Sequence, residues 1–405
     1  MLSQAPHSAK GTLMGSGNVS ACRVRSLLPA VAGLTLAICA LWGTPASAKT
    51  HRNADASAWE VVSRIDRGFG RMAFSDAQHG WATADYRYPI GVGIYRTSDG
   101  GRSWEWVALP GLPADARFPR TGYIACHGRS VWVLGGYEVQ PGDWTTRRSY
   151  QFIARSYDGG ATWAVETMEM ETVDYRVVLQ SIHFASSRDG WITAVRDDRT
   201  GGDWQERFLL VTHDGGRSWA KSGAMDVERF TGDDPYEIFA FVGTQHLWTA
   251  YLDWPLQRSR DGGRAWELLS LPWREPQEFE EKPLHYYEVG GLSFVDARRG
   301  WAVLIDSSDD PCEWIAVQHT EDGGVTWEEQ LRIQDKRGVS PWTGLAFINA
   351  SAGFLVFENR IMATHDGGET WVTEYEGSVG TWLAAVGGRV WVTGYDDGSV
   401  LLRRD

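Results

Sequence analysis

The chain has 405 residues, with 39 Lys or Arg against 52 Asp or Glu and a net charge of −13. Without a basic excess it is not built to hold nucleic acid. Its 22 Trp and 46 Gly describe many short strands joined by tight turns, and a repeat fold could absorb the whole length as one domain.

The first 48 residues contain no acid. Arg23 and Arg25 precede the apolar run Ser26–Trp42, and the segment ends in Ala46-Ser47-Ala48. A basic flank, an apolar core and an A-x-A end have the layout of a secretory signal peptide, with cleavage expected after Ala48. Met14 would serve as an alternative start. The arginines are not adjacent, which favours general secretion over the twin-arginine route. Ile38 is bulky where a lipoprotein signal leading to Cys39 needs a small residue. A membrane anchor is the competing reading of the same run. Loss of Lys10, Arg23 and Arg25 takes the net charge from −13 to −16. The mature chain, 49–405, is therefore expected to be an acidic protein of the periplasm or extracellular space. No later segment is long and apolar enough to span a membrane.

Two motifs then alternate. Strand-like Ala58–Ile65 comes first, and "FSDAQHGW" (Phe74–Trp81) follows as strand, polar turn, and Gly plus aromatic opening a second strand. The same hairpin returns at Phe184–Trp191, Phe294–Trp301 and Phe347–Phe354. Looser versions occupy Tyr123–Gly136, Ile238–Tyr251 and Trp382–Tyr395, which makes seven hairpins. Between them lie six acid–Gly–Gly–x–x–Trp boxes, Asp99–Trp104, Asp158–Trp163, Asp214–Trp219, Asp261–Trp266, Asp322–Trp327 and Asp366–Trp371, spaced 59, 56, 47, 61 and 44 residues apart. Each unit reads as strand, turn, strand, variable loop, strand, box turn, and a fourth strand opened by Trp. Four antiparallel strands at this period make a β-propeller blade.

The seventh unit has no box and ends "SVLLRRD" at Asp405, which aligns with Asp99 when set against "GIYRTSD". "AWEVVSRI" (Ala58–Ile65) resembles the missing fourth strand. The expected fold is thus an all-β, seven-bladed β-propeller of four-stranded antiparallel blades over roughly 55–405, closed by Trp59–Ile65 beside Val400–Arg404. Closure removes unpaired edges. Cys126 falls in blade two and Cys312 in blade five, farther apart than the roughly 7 Å that a disulfide spans, so two free thiols are expected.

The boxes have a local physical reading. The Asp can accept backbone N–H groups two or three residues on, the glycines permit positive φ, and Ser or Thr adds a second bond whose loss at Ala265 is tolerable. The Trp turns inward between blades, burying about 150–250 Å² and contributing at most roughly 4–6 kcal/mol. Asp99, Trp104, Asp158, Trp163, Asp214, Trp219, Asp261, Trp266, Asp322, Trp327, Asp366 and Trp371 are therefore read as structural.

The boxes are those of the bacterial neuraminidase repeat, S/T-x-D-x-G-x-T-W. Coupled to the F-x-D-x-x-x-G-W hairpin over residues 74–371, they resemble the photosystem II stability/assembly factor family and its bacterial relatives outside photosynthesis. The resemblance implies an exported, non-catalytic propeller that binds protein partners during assembly. It covers the scaffold and carries no partner-binding residue onto this chain. Blades two, four and seven depart from the hairpin pattern, and Phe354 stands where Trp is usual. Sialidases also carry such boxes, and the resemblance would imply an arginine trio, a Tyr–Glu pair and an Asp acid/base. Their early Arg-Ile-Pro signature is absent, Arg87–Ile90 ("RYPI") being the nearest string. A xyloglucanase-type propeller would need two carboxylates flanking the centre. A glycoside hydrolase of the cell envelope is therefore the alternative function, with a glycan as the alternative ligand.

No catalytic set, cofactor or metal site is expected. The ten His are scattered, and His213 and His365 stand beside box acids. "DSSDDP" (Asp306–Pro311) has the carboxylates but not the spacing of a calcium loop. One pattern points to binding. Asp143-Trp144, Asp203-Trp204, Asp253-Trp254 and Glu313-Trp314 end the loops between second and third strands, on the face opposite the box turns. Trp254 and Trp314 read as packing residues. Trp144, Trp204, Trp273 and Tyr286 are the candidate anchors for a protein partner. Asp197, Asp198, Glu278, Glu280 and Glu281 on the same face favour a basic partner surface. A monomer is expected.

Overall fold

The computed structural model describes residues 59–65, 68–84, 92–139, 148–168, 175–198, 205–224, 238–251, 254–269, 287–306, 312–339, 343–395 and 399–405. By contacts the chain divides between Lys49 and Thr50, and all described residues lie in the second unit. The segment 1–48 lies outside them. No described helix is long and apolar enough to cross a membrane.

Seven four-stranded antiparallel sheets form the blades. The N-terminal strand β1 is Trp59–Ile65. Blade 1 contains β2 (Phe69–Phe74), β3 (Gly80–Ala84), β4 (Gly93–Thr97) and β5 (Glu105–Ala108). Blade 2 contains β6 (Arg117–His127), β7 (Ser130–Val139), β8 (Arg148–Ser156) and β9 (Ala164–Met168). Blade 3 contains β10 (Tyr175–Phe184), β11 (Gly190–Asp198), β12 (Gln205–Thr212) and β13 (Ala220–Ala224). Blade 4 contains β14 (Ile238–Val242), β15 (His246–Tyr251), β16 (Trp254–Ser259) and β17 (Glu267–Leu268). Blade 5 contains β18 (Tyr287–Phe294), β19 (Gly300–Asp306), β20 (Cys312–Thr320) and β21 (Glu328–Val339). Blade 6 contains β22 (Thr343–Phe347), β23 (Gly353–Phe357), β24 (Arg360–Thr364) and β25 (Val372–Glu376). Blade 7 contains β26 (Val379–Val386), β27 (Arg389–Tyr395) and β28 (Ser399–Arg404), with β1 as its outer strand. The first strand of each blade is innermost, and β26 packs back onto β2, so the ring is closed.

The closing strand pairs as expected, from Trp59↔Arg404 to Ile65↔Ser399. The alignment of Asp405 with the box acid is off by one residue. Trp391 pairs with Arg403 as Trp81 pairs with Arg96. Asp405 therefore occupies the place of Ser98, one residue short of Asp99. Pairing across the sheet sets the equivalence, and string similarity alone slipped by a residue.

The core lies between blades. In the F…GW hairpins the glycine is bare because the phenylalanine ring lies over it, and a Cβ at Gly300 would run into Phe294. That ring stacks on the hairpin tryptophan of the preceding blade: Phe74 on Trp391 at 3.7 Å, Phe184 on Trp132 at 3.4 Å, Phe294 on Trp248 at 3.7 Å and Phe347 on Trp301 at 3.6 Å. It also meets the box tryptophan of its own blade edge-on, as Phe184 meets Trp219. In blades 2 and 7 the pairing Phe/Gly becomes Cys126/Val131 and Ala385/Val390, with volume moved from one strand to the other.

The hairpin tryptophans Trp132, Trp191, Trp248, Trp301 and Trp391 are the fully buried ones. The box tryptophans are only half-buried, roofing these inter-blade clusters. The expectation of deep burial for Trp163 and its equivalents is corrected accordingly: they open an outer strand, one wall of which faces solvent.

Candidate functional site

Each box is a closed hydrogen-bond loop. At the first, Ser103 donates to Asp99 through its backbone N–H at 2.9 Å and its hydroxyl at 2.6 Å, and the Thr97 hydroxyl donates at 2.8 Å. The acceptance is thus three and four residues on, as with Ala161 and Thr162 at Asp158, rather than two or three. Gly100 and Gly101 have φ of 72° and 89°, which a side chain would resist. The same pattern recurs at Asp214, Asp322 and Asp366, while Asp261 lacks the hydroxyl bond because Ala265 replaces Ser or Thr. Hydrogen bonds from Thr162 and Ser156 hold the Asp158 carboxyl well below the usual carboxylate range. Hydrogen bonds from Thr370 and Thr364 bring Asp366 down to about 2. A carboxylate satisfied in this way is a poor acid or base near neutrality.

Two partners in these seams went unread in the sequence. The Ser or Thr two residues before each acid is buried and accepts the second glycine's N–H, as Thr97 does from Gly101 at 2.9 Å. The residue three before the acid is Arg in blades 1, 2 and 4, and Arg403 is its equivalent in blade 7. Arg258 donates to the Gly323 carbonyl of the next blade at 2.7 Å and to Glu267 at 2.7 Å. The same carbonyl accepts the Trp248 indole at 3.0 Å. Arg403 and Trp391 converge likewise on Gly100. The recurring Arg before S/T-x-D, with an acid just after the box Trp, was the available signal.

The axis is the other candidate. The inner strands carry Arg71, Arg117, Arg120 and Arg176 in their sequence against a single carboxylate, Glu288, the side chains of Arg117, Arg120 and Arg176 being outside the description. Arg71 sits between two rings from neighbouring blades, 4.0 Å from the Tyr123 centroid and 4.0 Å from that of Trp382. Such a sandwich holds the guanidinium flat between the two rings. Nearby, His183 stacks on Phe239 at 4.6 Å and lies 3.0 Å from the Ser181 hydroxyl. Burial, aided by the Arg71 charge, pushes the His183 imidazole down to about 3, so it is neutral under ordinary conditions.

The anchors Trp144, Trp204, Trp273 and Tyr286 lie outside the described residues, as do Asp143, Asp203, Asp253, Arg87–Ile90, residues 307–311, Glu278, Glu280 and Glu281. Asp197, Asp198 and Trp254 are placed in strands, but their side chains are outside the description. Trp314 is half-buried beneath Arg332, 3.7 Å from its ring. Cys126 is a free thiol, pushed by burial up to about 12. Among the described residues no three His, Cys, Asp or Glu side chains gather as a metal site.

No protein-family model and no curated protein matches the chain. Solved structures do. "YCF48 bound to D1 peptide" is 17% identical, with a TM-score of 0.56, covering 86% of this chain and 97% of its own. YCF48 from Cyanidioschyzon merolae is 16% identical, with a TM-score of 0.52, covering 86% and 98%. A GH74 enzyme from Niastella koreensis is 14% identical at a TM-score of 0.48, covering 82% of this chain and 51% of its own. At these identities the likeness is one of fold, and the chain is a seven-bladed propeller of the kind seen in YCF48.

Proposed function

We propose that the protein is an exported, non-catalytic scaffold that binds an extended segment of a protein partner in the periplasm or extracellular space. The observation that carries the reading is the axis: in a chain of net charge −13, the inner strands hold four arginines and one glutamate, with Arg71 clamped between Tyr123 and Trp382. A flat guanidinium with aromatic walls suits a carboxylate-bearing peptide. A fold shared with a protein whose structure holds a D1 peptide supports the same reading. Trp144, Trp204, Trp273 and Tyr286 are its further anchors, on the face away from the box turns. Two acids flanking the centre, which glycoside hydrolysis requires, do not come from these inner strands.

The test is a crosslinking pull-down from the envelope fraction with the full chain, beside a panel of glycan substrates. A protein captured by the wild type and lost with Arg71→Gln or with the Trp144→Ala/Trp204→Ala pair, at unchanged melting temperature, supports the scaffold. Turnover of any glycan overturns it, and capture abolished only by changes in the box-turn face places the site on the wrong side of the ring.

A further inference from the structure

The seam between blades 6 and 7 is built differently from its neighbours. Around the ring, a hairpin indole reaches across to a box glycine carbonyl of the next blade: Trp132 to Gly215 at 2.7 Å, Trp191 to Gly262 at 3.1 Å, Trp301 to Gly367 at 2.9 Å and Trp391 to Gly100 at 3.0 Å. In blade 7 the third and fourth strands are β28 and β1, which no box turn joins. Among the described residues blade 7 offers no box carbonyl to an indole from blade 6, and Phe354 occupies that position, fully buried. The loss is matched on the other side. Box tryptophans Trp104, Trp163, Trp327 and Trp371 donate to their own turns, as Trp104 does to Gly101 at 3.1 Å, while the Trp219 and Trp266 indoles find no acceptor among the described residues. Trp59, the equivalent residue, follows no acid–Gly–Gly box in the sequence, and its ring meets Phe354 edge-on at 5.8 Å.

We propose that Glu374, on the outer strand of blade 6, is the latch that holds the N-terminal strand in the ring. One oxygen accepts the Trp59 indole N–H at 3.0 Å and pairs with Arg404 Nε at 2.7 Å. The other accepts from Arg404 Nη2 at 3.0 Å and lies 3.3 Å from His365 Nε2. The carboxylate is almost enclosed, with 11% of its side chain exposed, so the hydrogen bond from Arg404 Nη2 is charge-assisted in a partly dry site, with Nε an ion-pair contact only. It thus binds both strands that meet at the closure, β1 through Trp59 and β28 through Arg404. At five other seams an indole-to-carbonyl bond joins the blades, and Arg258 and Arg403 share two of those carbonyls. Here one side chain joins the two chain ends to blade 6, so β1 can be released and regained as a strap while the other blades stay folded. The inference stands apart from the partner-binding reading and does not depend on it.

Hydrogen exchange followed by mass spectrometry on the full chain tests this. Glu374→Gln keeps the shape and removes the charge, and exchange in 59–65 and 399–404 should quicken by about tenfold while that of blades 2 to 4 is unchanged. Trp59→Phe should give a smaller effect in the same two strands. Trp132→Phe, which removes a bolt at another seam, should leave them protected. Unchanged protection of 59–65 in Glu374→Gln, or equal loss across all blades, would overturn the latch.

Discussion

At the scale of single residues, position in the blade decides what a tryptophan is worth. Trp132 is fully buried, stacked on Phe184 and bonded to Gly215. Trp163 is half-buried and bonded to its own turn at Gly160. Trp132→Ala should cost about 3–5 kcal/mol and Trp163→Ala about 2–3, read from urea midpoints at constant slope. Equal midpoints would mean that the box tryptophans are the deeper set after all. Gly300→Ala should cost about 1–3 kcal/mol, because its new methyl meets the Phe294 ring. Phe294→Ala should cost less when added to Gly300→Ala than in the wild type, as the Ala385/Val390 pair in blade 7 shows a small residue opposite a larger one. A double-mutant cycle with no coupling would refute the account.

At the scale of strands and seams, the exception explains the rule. Trp is usual at the hairpin position of Phe354, so a consensus argument would recommend Phe354→Trp. The structure forecasts the opposite. The site is full, Trp59 covers the ring, and no box carbonyl among the described residues awaits the indole N–H. The substitution should lower stability by about 1–3 kcal/mol, measured by thermal or denaturant melting. A gain would show that an acceptor exists at this seam. The Trp81 indole, buried at the seam between blades 1 and 2, finds no acceptor among the described residues, and nothing in the geometry explains it.

At the scale of the whole molecule, protonation weakens the ring as pH falls. His183 is held down to about 3, against an ordinary value of 6.5. The unfolded chain therefore binds a proton that the folded one refuses, and stability present above about 6.5 is lost as pH falls toward 3. The box acids have depressed values too, for which stability is present above about 3.8 and is lost as pH falls through their folded values, near 2 for Asp366. The melting temperature should decline gently from pH 6.5 and steeply below 4. His183→Asn should flatten the first part and leave the second. A single steep step in both proteins would refute the assignment to His183.

The sequence by itself determined the repeat, the blade count and the closure by Trp59–Ile65. Each rests on local chemistry that recurs: a glycine pair needing positive φ, an acid satisfying its own turn, a period near that of four strands. The tertiary structure alone decided which tryptophans are buried, because a ring's neighbours come from the next blade, 71 to 83 residues away for Trp191 and Trp132. It also decided that Phe294 needs Gly300 bare, that Arg258 and Trp248 share one carbonyl, and that Arg71 lies between Tyr123 and Trp382. Phe294 and Gly300 keep the fixed spacing of one hairpin, but the Gly323 carbonyl and the two rings about Arg71 come from other blades at no set spacing, and closing the ring brings them together.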